Sequence, residues 1–412
     1  MMTALCAWKR TFIILAAAPA FCLLLAAAPA GARSGANPAD TDIEISADVL
    51  LAFGESDTAR SGPYGEWRIA LTSERILEDL QRIGFSGGLV VRRDSGRAGL
   101  AQSAGNCPPA LAGCASADGL APVGAFSGLA AAPGLAGDDP AIAIETAFVY
   151  WRGGLFEIRG GYGPGAAQLE SDPLPGAFSL MRADATRIDA AGGNIASTAN
   201  TLSGHAPKFV VRSVRLAGFR ASASFTPDGD ICGASYCRPA PQPGVLAAAS
   251  VRDIAELGVS FDHRFAQAGV RWTAGIGLSH GRAAGPYSAF FDDPWAVSAR
   301  LVRSEGAWTA GVSALVSNDG AAGTRYRAHA ASLAYEHGDW LFSLEASQAR
   351  SSLVHASSQT WLAGASRYFE PGFLLGAGIA HTSTSRAAAS GPSRITQDSD
   401  GLRVLVEAGL RF

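Results

Sequence analysis

Along almost the whole chain, apolar and polar residues alternate with a period of two. Ile43, Ile45, Ala47, Val49, Leu51 and Phe53 alternate with Asp42, Glu44, Ser46 and Asp48. Val270, Trp272, Ala274, Ile276 and Leu278 alternate with Arg271, Thr273, Gly275, Gly277 and Ser279. The closing stretch RVLVEAGLRF repeats the pattern. Val404, Val406, Ala408, Leu410 and Phe412 form one list, and Arg403, Glu407, Gly409 and Arg411 the other, with Leu405 the exception. Successive side chains of a strand point to opposite faces, so this pattern predicts β-strands. The chain holds about sixteen such segments of roughly ten residues. Strands of soluble domains are mostly about 5–6 residues long, whereas a tilted strand crossing a bilayer needs about 9–11.

The connections alternate as well. Gly153-Gly154, Leu216-Ala217-Gly218, Glu305-Gly306, Gly338-Asp339 and Glu370-Pro371-Gly372 are tight-turn residues. Between them lie longer links: 94–140, 163–206, 227–249, 281–294, 318–325 and 384–400. One rim should therefore be trimmed and the other looped. Residues 73–84 fit either a helical turn or a longer hairpin.

The wet side of the strands decides the class. A soluble β-sandwich would bury the apolar list and wet the polar one. Here the polar list is mostly Gly, Ser and Arg. Aromatics gather at segment ends, among them Trp67, Tyr150, Trp151, Trp295, Trp308, Tyr335, Trp340, Phe369 and Phe373. End-loaded aromatics match the interfacial girdles of a membrane barrel. Backbone groups in lipid must be satisfied internally, so the sheet must close. The fold expected is all-β: a 16-stranded antiparallel transmembrane β-barrel over residues 41–412. An even strand number puts both termini on the short-turn rim, and a barrel of this size holds water.

Residues 1–30 read as a cleaved signal peptide. Lys9 and Arg10 precede an apolar run, and Ala28-Pro29-Ala30 offers a cleavage site. Residues 31–40 form a short N-terminal segment. Removing Lys9 and Arg10 from 33 basic residues leaves 31 against 36 acidic ones, a net charge of −5. That balance argues against a nucleic-acid partner. The other 31 basic residues are all arginine except Lys208. Beyond the signal, Cys107/Cys114 and Cys232/Cys237 form two close pairs. In an exported chain, small loop disulfides are the expectation, since neither pair has metal-ligating neighbours in sequence.

Two stretches carry a family resemblance. YWRGGLFEIRGGYGPG (150–165) resembles the strand–turn–strand that leads into the third outer loop of Gram-negative general porins, of the sixteen-stranded alphaproteobacterial type. VRLAGFRASASFTPD (214–228) is similar to the segment after that loop, and the terminal GLRF resembles the aromatic assembly signal. The resemblance implies a homotrimer in the bacterial outer membrane, in contact with lipid and lipopolysaccharide and delivered by the barrel-insertion machinery through Phe412. It implies passive diffusion of small hydrophilic solutes and ions, with no catalysis, cofactor or metal.

It also implies that residues 163–206 fold inward as the third outer loop and narrow the pore. Glu170, Asp172, Asp184 and Asp189 would then face Arg68, Arg92 and Arg159, with Arg212 and Arg220 as further candidates. Opposed acidic and basic walls make a transverse field that orients dipolar solutes. Two other classes compete. A solute-specific channel needs the same barrel. A barrel enzyme needs a nucleophile beside a histidine, and no nucleophile motif accompanies His263, His280, His329 or His381.

Overall fold

The computed structural model describes residues 41–411, apart from 57–58, 78–79, 94–120, 123, 128–140, 172, 185–193, 230–245, 248, 286–287, 354, 371 and 391–392. Sixteen strands build the barrel. They are β1 (Thr41–Ser56), β2 (Ala59–Ile76), β3 (Arg82–Arg93), β4 (Ala141–Arg152), β5 (Phe156–Gly163), β6 (Ala206–Ser213), β7 (Phe219–Asp228) and β8 (Ser250–Phe265). The second half comprises β9 (Val270–Ala284), β10 (Trp295–Glu305), β11 (Trp308–Ser317), β12 (Tyr326–His337), β13 (Trp340–Ser351), β14 (Ala356–Phe369), β15 (Phe373–Ser390) and β16 (Ser393–Arg411). Each strand pairs antiparallel with the next, and β16 returns to β1 with Asp48 opposite Arg411. No sheet edge is left to expose backbone groups to lipid.

Exposure confirms the two faces. Val404 is 59% exposed, whereas Leu405 is 4% exposed and Glu407 is buried. The same alternation runs through β9–β13, whereas a register shift in β4 leaves Tyr150, expected in the outer aromatic belt, buried and bonded to Glu74. Ile276, Leu301, Val312 and Leu344 are exposed, and Ser279, Ser298, Ser313 and Glu345 are buried. The apolar list faces outward and the polar list inward.

The aromatic belt is densest at the short-turn rim. Trp308 packs on Tyr335 at 4.5 Å between ring centres, Trp340 on Phe342 at 6.0 Å and Phe369 on Phe373 at 5.7 Å. Residues 73–84 resolve as a hairpin: β2 runs to Ile76, Leu80 takes a positive φ of 64°, and β3 begins at Arg82. One expected loop is corrected. Most of residues 384–400 belong to strands, because β15 and β16 stay paired out to Ser390 and Ser393. Their Ser- and Ala-rich sequence hides the alternation that an apolar face would show. The signal peptide, residues 31–40, Cys107, Cys114, Cys232, Cys237 and Phe412 lie outside the described residues.

Candidate functional site

The segment between β5 and β6 connects neighbouring strands, yet it contacts strands far around the barrel. It opens with a four-residue helix, α1 (Ala166–Leu169). The Ala166 amide donates to Ser224 Oγ of β7 at 2.9 Å. Further along, the Ala177 amide donates to Ser343 Oγ (2.9 Å) and the Ala183 amide to Glu345 Oε2 (3.0 Å), both on β13. The Ser179 and Leu180 amides donate to the two carboxylate oxygens of Glu407 on β16, at 2.8 and 2.9 Å. These acceptors belong to the inward list. Irregular backbone has no ladder to satisfy it, so the wall side chains supply the acceptors.

The return path uses other strands. The Ile195 amide donates to Ser358 Oγ of β14 (3.0 Å), and Tyr326 Oη of β12 donates to the Ile195 carbonyl (2.7 Å). Ser313 of β11 donates to Thr198 Oγ1 and Ser279 of β9 to Asn200 Oδ1, each at 2.8 Å. Lys208 Nζ closes the path by donating to Ser203 Oγ (2.8 Å) and the Gly204 carbonyl (2.6 Å).

Close approach depends on glycine. A Cβ at Gly258 would fall 2.4 Å from the Ala166 carbonyl oxygen, and one at Gly275 would fall 2.3 Å from the Glu170 carbonyl oxygen. At Gly364 and Gly378 a Cβ would fall 2.2 and 2.8 Å from the Phe178 ring. Phe178 also belongs to a buried apolar cluster with Leu180, Met181, Leu362, Ala380 and Leu405. Leu405, the exception in the closing pattern, faces inward because it packs with this segment.

The predicted charges are placed as follows. Glu170 is buried and accepts from Arg212 Nε of β6 at 2.7 Å and from Ser260 Oγ. Asp184 is buried within the segment. It accepts from Arg182 Nε (2.9 Å) and the Leu174 amide (3.2 Å). Asp172 and Asp189 lie outside the described residues. Arg68 pairs with Glu66 at 2.6 Å and with Glu145 at 3.2 Å.

The register puts Arg92 opposite Glu66, on the same face as Arg68; the Arg92 side chain is outside the description. Arg159 pairs with Glu157 and lies 4.9 Å over the Phe148 ring. Its row runs through Tyr150 and Gly84 to Glu74, six residues along β2 from Arg68. The three arginines therefore occupy two levels rather than one ring. Sequence reasoning missed Glu345 and Glu407. Each is an isolated acid on an inward list otherwise rich in Gly and Ser, and that was the available signal.

At the looped rim, Asp319 lies between β11 and β12. Its carboxylate accepts from the Phe126 amide (2.8 Å), the Ser127 amide (3.1 Å), Ser127 Oγ and Ser351 Oγ (3.0 Å). Complete burial pushes this carboxyl above its ordinary value, against the pull of those donors. Phe126 stacks on Tyr326 at 5.9 Å between ring centres. Residues 124–127 are thus tied to the rim above the return path.

Residues 20–387 match the family described as Gram-negative porin. The chain belongs to that family. As a porin, it forms an outer-membrane channel for passive diffusion. No curated protein matches it in sequence. Solved structures share the fold. An anion-selective porin from Comamonas acidovorans is 11% identical, with a TM-score of 0.52, 90% of this chain covered and 100% of the other. A porin refined at 1.8 Å resolution is 14% identical, with a TM-score of 0.51 and coverage of 90% and 100%. OmpT of Vibrio cholerae, an outer-membrane protein, is 9% identical, with a TM-score of 0.53 and coverage of 92% and 99%.

Proposed function

We propose that residues 164–205 fold into the porin's lumen as its constriction, lying along the β7–β16 wall. Small hydrophilic solutes then pass between this segment and the arginine-bearing wall of β2–β7. The observation that carries the reading is the set of segment amides donating to Ser343, Glu345 and Glu407 on the inward face. Glu170 and Asp184 are engaged by arginines, so they act chiefly as fasteners of the segment. Arg220 stands half-buried on the inward face of β7 and has no ion pair among the described residues. Arg220 is therefore the cation that a passing anion would meet. Nothing in this arrangement requires catalysis, and the protomers assemble as homotrimers.

Single-channel recording in planar bilayers tests this reading. Ohmic steps grouped in threes are expected, and a correctly folded barrel with no conductance would overturn the proposal. Arg220→Glu should move the reversal potential in a salt gradient toward cation preference at nearly unchanged conductance. An unmoved reversal potential would remove Arg220 from the pathway. Deleting Phe412 should lower the yield of heat-modifiable barrels. Those that do form should conduct normally.

A further inference from the structure

Near the looped rim the inward face changes character. Lower on β10–β14 it is rich in Ser, with Arg300 and Glu345. In the last pleats it carries Ala296, Leu315, Tyr326, Ala328, Ala349 and Ala356, all buried. Facing an open lumen, these residues would be wet, and apolar surface is costly to leave in water. They are covered instead by Ile195 and Leu202 of the 164–205 segment and by Phe126, which is wholly buried in the same cluster.

Phe126 comes from across the barrel. It belongs to the connection between β3 and β4. Asp319, which holds it, lies between β11 and β12, eight strands further round a ring of sixteen. Sixteen strands about 4.8 Å apart and tilted by about 40° make a ring roughly 100 Å around and 32 Å across. The β3–β4 connection is therefore fastened to the wall opposite its own strands. It also meets the β7–β8 connection, where Ala121–Pro122 pair in parallel with Leu246–Ala247.

The fastening is mutual. The Asp319 carboxylate accepts from the Phe126 and Ser127 amides and from the Ser127 and Ser351 hydroxyls. The Asp319 carbonyl accepts from the Ala125 amide at 3.1 Å. A Cβ on Gly124 would fall 2.2 Å from the Asp319 carboxyl carbon, so only glycine allows this approach. A buried carboxylate stripped of its donors is costly, and so is a wetted apolar rim. Each half of the contact needs the other, so these residues seat and unseat as a unit.

We propose that residues 121–122 and 124–127 form a strap over the β8–β14 side of the outer mouth, latched by Asp319, which confines solute entry to the side of the arginine-bearing wall. The looped rim is the outer one in membrane barrels, so the strap sets a size limit ahead of the constriction. Phe126 and Asp319 act on solute size through the strap rather than by touching solute. The proposal rests on the pore reading, whose own failure would show as absent conductance before any polymer is added.

Polymer exclusion in planar bilayers tests it, with polyethylene glycols of graded size added to one side at a time. A polymer that enters the mouth lowers single-channel conductance, and an excluded one does not. The native porin should exclude smaller polymers from the looped side than from the trimmed side. Phe126→Ala with Asp319→Ala, and separately Gly124→Leu, should abolish that difference by admitting larger polymers from the looped side alone. Gly124→Leu unseats the strap without altering the barrel wall, and heat-modifiable mobility will show that both variants are folded. Equal exclusion from the two sides of the native porin, or native exclusion in both variants, would overturn the strap as a size limit. So would larger polymers entering the variants equally from both sides, which would place the effect in the constriction.

Discussion

Phe178→Ala should produce wider, noisier channels than the native protein. The ring fills a recess floored by Gly364, Gly376 and Gly378 and closed by Leu180, Met181, Leu362 and Leu405. Emptying such a site costs about 3–5 kcal/mol. Around residues 177–183 the segment would then be held only by its amide bonds to Ser343, Glu345 and Glu407, with its two ends still fastened elsewhere on the wall. Single-channel conductance should rise, with added open-state flicker. Gly364→Leu should give the same result from the other side, because a Cβ there would sit 2.2 Å from the Phe178 ring. The barrel ladder uses none of these side chains, so heat-modifiable mobility should survive. Native conductance in both variants would refute Phe178 as the anchor of the proposed constriction.

Asp319→Ala should release residues 124–127 from the rim. Two buried amides, those of Phe126 and Ser127, would lose their acceptor. Each unsatisfied donor costs about 1–3 kcal/mol. Their hydrogen exchange should therefore accelerate by roughly 10- to 100-fold, and proteolysis near residue 127 should speed up. Unchanged exchange would show that Phe126 stacking and the Ala125 amide bond to the Asp319 carbonyl hold the segment without the carboxylate.

The pH dependence has a definite sign. Burial raises the folded pKa of Asp319 above its unfolded value. Its protonation therefore stabilises the folded state fully below the unfolded pKa, and that contribution is lost as pH rises through the folded pKa. Asp319→Asn should abolish this slope in a thermal-unfolding series.

Arg403 to Phe412 show how far sequence reasoning reaches. Period-two alternation, segment length and alternating turn lengths depend only on local geometry and the thickness of a bilayer. They were enough for a closed sixteen-stranded barrel with its termini on the trimmed rim. They also gave the sidedness of Val404, Arg403 and Glu407. The extent of β15 and β16 was not legible, since Ser and Ala carry little hydrophobic contrast.

The charged site was legible only as residue types. Alternation places Glu345, Glu407 and Arg220 inside but cannot say which strand the 164–205 segment touches. The contacts to Glu345 and Glu407 span 162 and 228 residues of sequence. Inward glycines read as an unfilled lumen face, yet Gly258, Gly275, Gly364 and Gly378 are where another backbone or ring packs against the wall. The sequence by itself determined the barrel and its faces, because each strand answers to lipid on one side and to its neighbours' hydrogen bonds on the other. The tertiary structure alone decided that Leu405 meets Phe178 and that Glu170 is held by Arg212. Each of these depends on register around a closed ring, a property of all sixteen strands together.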